Sequence, residues 1–137
     1  MGNRPSAQLV YGIKAFSHED DGEQPPWAED FNTAIAAANG LPHPGSDATP
    51  SDWNSYFGKQ EGIIKTAGVT LEHCGYWDWG SVFICSRVFM EYGVASLVID
   101  PASMVTTAED DTRIEAACKI VGVPFTKPQW HLLPFYG

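Results

Sequence analysis

Between Val69 and Ile99 the chain carries three strand-like runs in succession, and this constrains the fold more than any other feature. Val69 to Tyr76 and Ser81 to Phe89 are rich in β-branched and aromatic residues and are joined across Trp77-Asp78-Trp79-Gly80. Ala95 to Ile99 follows the turn at Tyr92-Gly93. Strands linked by connections this short pair antiparallel, because a parallel return needs a crossover of a dozen residues or more. A three-stranded meander is the simplest arrangement.

The flanking elements carry local start and stop signals. Leu9 to Phe16 is an apolar strand that ends at the acidic turn His18 to Glu23. Pro25-Pro26 then precedes a helix with Trp27, Phe31, Ile35 and Ala38 at helical spacing and Asn39-Gly40 as its stop. Leu41 to Asp47, with Pro42, Pro44 and Gly45, is a loop. Thr49-Pro50-Ser51-Asp52 opens a second helix: Thr49 caps, Pro50 suits the first helical position, and Asp52 stands where a capping-box acid would. Trp53, Tyr56, Phe57, Gln60, Ile64 and Ala67 follow at helical spacing, and Gly68 can take the left-handed conformation that ends it. Gly58 and Gly62 each weaken this helix by roughly 1 kcal/mol relative to Ala.

Thr107 caps a third helix in which Ile114, Ala117, Cys118 and Val121 form one stripe, with Glu109, Asp110 and Asp111 in the first turn, where carboxylates favour the macrodipole. Gly122 ends it. A last strand runs from Gln129 to Phe135, and Pro134 confines it to a sheet edge or ends it. The order β-α-α-β-β-β-α-β does not divide into βαβ units. It predicts a single α+β domain over residues 1–137, a mainly antiparallel sheet of about five strands with three helices packed on one face. The helix side of the core should be Trp27, Phe31, Ile35, Trp53, Phe57, Ile64, Ile114, Cys118 and Val121.

With 137 residues, 44% of them hydrophobic, the chain can bury one core without a metal or a staple. No apolar run approaches the roughly 18 residues of a membrane span, and Met1 to Gln8 lacks the apolar stretch of a secretion signal, so the expectation is a cytoplasmic protein with no membrane partner. Cys74, Cys85 and Cys118 are an odd number without close pairing, which fits reduced thiols.

The net charge is −9, and it is unevenly placed. No Lys or Arg occurs from Ala15 to Gly58, while Glu19, Asp20, Asp21, Glu23, Glu29, Asp30, Asp47 and Asp52 all fall there. Phosphate binding needs cations to displace counterions, so direct nucleic-acid binding is not expected, and a protein partner with a basic surface fits better.

Residues able to carry chemistry are present but not arranged for it. His73 and Cys74 invite a cysteine-nucleophile reading, yet successive strand residues point to opposite faces, and a structural role is the simpler one. A zinc site drawn from His73, Cys74, Cys85 and Cys118 lacks any CxxC or HxxxH spacing. The acidic run from His18 to Glu23 lacks the alternating ligands of a calcium loop. The glycines form neither GxGxxG nor GxxxxGK[ST], and GxSxG, HExxH and the zinc-deaminase pattern are missing too. No cofactor is implied.

The most unusual segment is Gly75-Tyr76-Trp77-Asp78-Trp79-Gly80. As strand residues its tryptophans pack across the sheet; at a hairpin tip they are exposed aromatic anchors of the kind enriched at interfaces. Three readings follow. The first is a small acidic cytoplasmic protein-binding domain, an inhibitor or immunity protein of the toxin-immunity or phage-encoded anti-defence type, with Glu19, Asp20, Asp21, Glu23, Trp77, Asp78 and Trp79 as its binding residues. The second is a small enzyme or ligand binder using His73, Asp78, Cys85, Arg87 or His131 across the sheet. The third is a self-associating structural protein, in which homo-oligomers would bury an apolar patch.

Overall fold

The spine of the sheet is β1 (Pro5–Ser17), which pairs antiparallel with β3 (Ser81–Tyr92) on one side and β4 (Gln129–Tyr136) on the other. The computed structural model describes residues 5–17, 25–74, 80–92 and 98–136. The short β2 (Thr70–Cys74) adds to the far side of β3 and completes a four-stranded antiparallel sheet in the order β2-β3-β1-β4. The fold is α+β. Among the described residues the sheet has four strands, not the expected five: residues 95–97 lie outside the described residues, and Val98 and Ile99 are not in a strand. The meander is likewise replaced. The second neighbour of β3 is β1, a longer apolar strand that pairs with it from Ser6 to Ser17. As expected of a strand that carries Pro134, β4 takes an edge.

The predicted first helix divides into α1 (Pro26–Glu29) and α2 (Phe31–Ala38), because Asp30, at φ −99° and ψ 16°, leaves helical geometry. The next helix, α3 (Pro50–Ala67), has the expected ends. Thr49 Oγ1 accepts from the Asp52 N–H at 3.2 Å, Asp52 Oδ2 accepts from the Thr49 N–H at 2.9 Å, and Gly68 sits at φ +68°. A short 3₁₀ turn (Pro101–Met104) then leads to α4 (Ala108–Val121), where Asp110 Oδ2 accepts from the Thr107 N–H at 2.8 Å and Gly122 ends the helix at φ +79°. No helix among the described residues is long and apolar enough to cross a membrane.

The helices cover one face of the sheet. Tyr11, Ile13 and Ile84 meet Phe31, Ile35, Ile114, Ala117 and Cys118 there, with Trp27, Ile64 and Val121 packed around them. Trp53 and Phe57, expected in this core, are not part of it. At 1.5 Å per residue, α3 with its 18 residues is about 27 Å long, whereas α2 with 8 spans about 12 Å. Only the C-terminal half of α3, with Ile63, Ile64 and Ala67, reaches the core.

The opposite face is not flat. Bulges after Tyr11 and Lys14 of β1 add twist, and the sheet coils toward this face until Cys74 Sγ of β2 lies 3.5 Å from the Pro134 carbonyl of β4, the far edge strand. Gly12 lets β1 and β3 approach at the first bulge, since a Cβ there would overlap the Ile84 carbonyl oxygen. Inside the curl Val10, Phe83, Cys85 and Leu133 form a second, smaller cluster.

Candidate functional site

All seven residues expected to bind a partner, Glu19, Asp20, Asp21, Glu23, Trp77, Asp78 and Trp79, lie outside the described residues. Of the residues for an enzymatic reading, Asp78 does too, and the others are not brought together. His73 is exposed and lies on the same, helix-covered face as Leu71, whereas Cys74 packs against the inner cluster, so the two point in opposite directions as expected. Cys85 is fully buried in the inner cluster, where burial, with the Glu72 carboxylate adding to it, drives its thiol far above the ordinary range. The His131 ring packs on Phe83 at 4.9 Å between centroids. No cluster of His, Cys, Asp or Glu that could hold a metal ion is found among the described residues.

Arg87 is committed to structure. Its Nε and Nη2 donate to Asp110 Oδ1 and Oδ2 at 3.1 and 3.2 Å, and its Nη1 donates to the Ser103 carbonyl at 3.1 Å. Ser86 Oγ also donates to Asp110 Oδ1, at 3.2 Å. Burial alone would raise the Asp110 carboxyl, but the donors from Arg87, Thr107 and Ser86 outweigh it and hold the group below the ordinary carboxylate range. The network fastens the start of α4 to β3. Nearby, Tyr11 Oη donates to Asp111 Oδ1 at 2.6 Å; burial, with that bond adding to it, raises the phenol.

A second polar group sits on the inner face. Gln8 is only 4% exposed, and its Nε2 donates to Glu72 Oε2 at 3.2 Å, while Thr70 Oγ1 donates to Glu72 Oε1 at 3.2 Å. Gln8 Oε1 is buried without a hydrogen-bond partner among the described residues. The Glu72 carboxylate is thus fixed from both sides on β2.

The described surface feature with the clearest binding character is an aromatic ledge on the N-terminal half of α3. Trp53 stacks on Phe57 with centroids 5.6 Å apart and planes 29° from parallel, and the His43 ring meets Trp53 and Tyr56 edge-on at 5.0 and 5.6 Å. Tyr56 is buried beneath, its hydroxyl accepting from Gln60 Nε2 at 3.1 Å, whereas Phe57 is 54% exposed. Phe57 also opens a groove of about 590 Å³ between α3 and the sheet, lined by Gln60, Glu61, Ile64, Lys65, Thr70 and Val88 among others. An adjoining hollow shares Asn32, Ile64 and Thr70 and brings in Glu29, Glu72 and His73. Sequence reasoning placed Trp53 and Phe57 on a helix but assigned them to the core, because helical spacing looks the same whether a stripe is covered or left open.

Comparisons with protein-family models, with curated proteins and with solved structures found no match to this chain.

Proposed function

We propose that the chain is a small acidic protein-binding domain, of the inhibitor or immunity type, that engages the basic surface of a protein partner through its own acidic, aromatic-bearing surface. The observation that supports this reading is Phe57, an exposed ring stacked on Trp53 at the end of a stretch, Ala15 to Gly58, that contains no Lys or Arg. Aromatic anchors held rigid by a neighbouring ring bury area at low entropic cost, and carboxylates around them select a cationic partner and repel nucleic acid. Asp47 and Asp52 flank the ledge in sequence, and Glu19, Asp20, Asp21 and Glu23 belong to the same cation-free stretch. The enzymatic reading gains nothing from the described residues, whose buried thiols are held protonated and whose Arg87 is already paired.

The test is affinity capture from the native host with wild type and with Phe57→Ser, an exposed substitution that leaves the core intact. The reading expects one basic protein, retained by wild type and lost with Phe57→Ser while the circular dichroism is unchanged. Equal retention by both overturns the ledge as the binding surface. A dimer that Phe57→Ser converts to monomer would assign the ledge to self-association instead.

A further inference from the structure

β3 outruns one of its two neighbours. β2 pairs with it only from Ser81 to Cys85, whereas β1 stays paired with it as far as Tyr92. Ser86 is the extra residue of a bulge, and beyond it residues 87–92 keep regular register with β1, from Arg87 opposite Tyr11 to Tyr92 opposite Ser6. On their other side these six residues have no strand neighbour among the described residues. Every second one therefore turns its N–H and C=O outward, over about 20 Å of strand.

This stretch lacks what usually blocks an edge. It contains neither Pro nor Lys, and its one cation, Arg87, is bound to Asp110 and the Ser103 carbonyl. The outer strands differ from it, since β4 carries Pro134 and the curl brings Cys74 of β2 against the Pro134 carbonyl. The groove beside α3 runs along the open stretch. Ser86 and Val88 line one side of it, Phe57, Gln60 and Ile64 of α3 the other, and Thr70 marks the end where β2 begins. Glu61 and Lys65 contribute one charge of each sign, so the groove selects by apolar contact rather than by charge.

We infer that this groove receives an extended segment of the partner, apolar at alternate positions, which pairs with residues 87–92 of β3 in the lane that β2 does not reach. The inference rests on the protein-binding reading and specifies how the partner is held. Backbone hydrogen bonds to β3 supply affinity that is indifferent to sequence. Alternate side chains of an added strand share one face, so a single set, on the helix side, meets Phe57 and Ile64, and the apolar requirement falls on that set. Phe57 belongs to both groove and ledge, so the partner's chain continues from the strand toward Trp53 and the cation-free stretch, where its basic residues belong. A second copy of this chain is the poorer occupant, because each copy carries a net charge of −9 and the two repel.

Amide hydrogen exchange tests the inference, with the heptapeptide Lys-Val-Thr-Val-Thr-Val-Lys as probe. In the free protein residues 81–85, flanked on both sides, should be protected throughout, and residues 87–92 only at alternate amides. The peptide should slow the remaining amides of residues 87–92. Methylating the backbone nitrogens of its Val residues, or of its Thr residues, separates strand pairing from mere contact, since one set of N–H groups faces β3 and the other faces away. One methylated peptide should bind about tenfold more weakly and the other like the parent, and a peptide with Ser at each Val should also lose about tenfold. Methylated peptides that bind alike, or protection that spares residues 87–92, would overturn strand addition. Residues 87–92 protected throughout without peptide would overturn it too: at all concentrations the lane is already filled, and with protection that grows with concentration it is filled by a second copy. If capture of a basic partner still depends on Phe57 while the peptide leaves residues 87–92 unprotected, the inference falls and the protein-binding reading stands.

Discussion

Arg87 and Asp110 are joined by two parallel hydrogen bonds, 3.1 and 3.2 Å long, across an interval of 23 residues, and the carboxylate they share is 2% exposed. Asp110 also caps its own helix through Thr107, so one side chain closes the start of α4 and ties it to β3. Removing the guanidinium with Arg87→Ala leaves a buried carboxylate half-partnered, which should cost about 3 kcal/mol. Urea unfolding should show the midpoint falling at constant slope. Arg87→Lys should recover only part of the loss, since a single ammonium cannot reproduce the two-pronged geometry.

The same pair sets the acid limb. Asp110 titrates below its unfolded value of about 3.9, so its contribution is present above that pH and is lost as pH falls through the lower folded value. In Arg87→Ala the carboxylate keeps its burial and loses its main donor, and the limb should move to higher pH. An acid limb in the variant that overlays wild type would contradict the assignment.

Gly12 and Gly58 should respond to alanine in opposite directions. A Cβ at Gly12 collides with the Ile84 carbonyl in the middle of the β1-β3 ladder, so Gly12→Ala forces the backbones apart and should cost about 2 kcal/mol. At Gly58, exposed on α3, a Cβ meets nothing within 4 Å, and Gly58→Ala should stabilise by about 1 kcal/mol. Thermal melts of both variants check the pair, and a neutral Gly12→Ala would show that the coil of the sheet does not depend on that close approach.

The thiols should be slow to react in the native protein. Burial pushes Cys118 up to about 11, with the Glu115 charge adding to it, and Cys85 further still, while the half-buried Cys74 is raised by burial and partly relieved by Lys14. Iodoacetamide near neutral pH should therefore label Cys74 first, and Cys85 and Cys118 only on unfolding, as read by mass spectrometry. Raised thiols stabilise the fold below their unfolded value of about 8.5, and that stability is lost as pH climbs toward the folded value of about 11 for Cys118. Cys118→Ala should flatten this alkaline limb. Labelling of Cys85 as fast as Cys74 would contradict the placement of Cys85 in the inner cluster.

What the sequence disclosed was what depends on neighbours along the chain. Thr49 with Asp52, Gly68, Thr107 and Gly122 mark helix ends through bonds that span three or four residues, and each stands where those residues put it. The break at Asp30 escaped, because Trp27, Phe31 and Ile35 keep helical spacing across it. Pairings over long separations escaped as well. That β3 would choose β1 as its second neighbour, or that Gln8 would reach Glu72, depends on bulges and coiling that no local pattern encodes. Of the proposed binding surface, the aromatic content of α3 was legible but its exposure was not, since that follows from α3 outrunning α2 in length.

The central claim, that acidity and the α3 ledge together recognise a basic protein, is tested most directly by the association rate with the captured partner as ionic strength is varied. Raising salt from about 0.01 to about 0.15 M shortens the screening length from about 30 Å to about 8 Å. The account predicts that the association rate falls at least tenfold over that range for wild type. It predicts a shallower fall when Glu19, Asp20, Asp21, Glu23 and Asp47 are replaced by their amides, and faster dissociation with little change in association for Phe57→Ser. A rate independent of salt, with the amide variant indistinguishable from wild type and still folded, would contradict it.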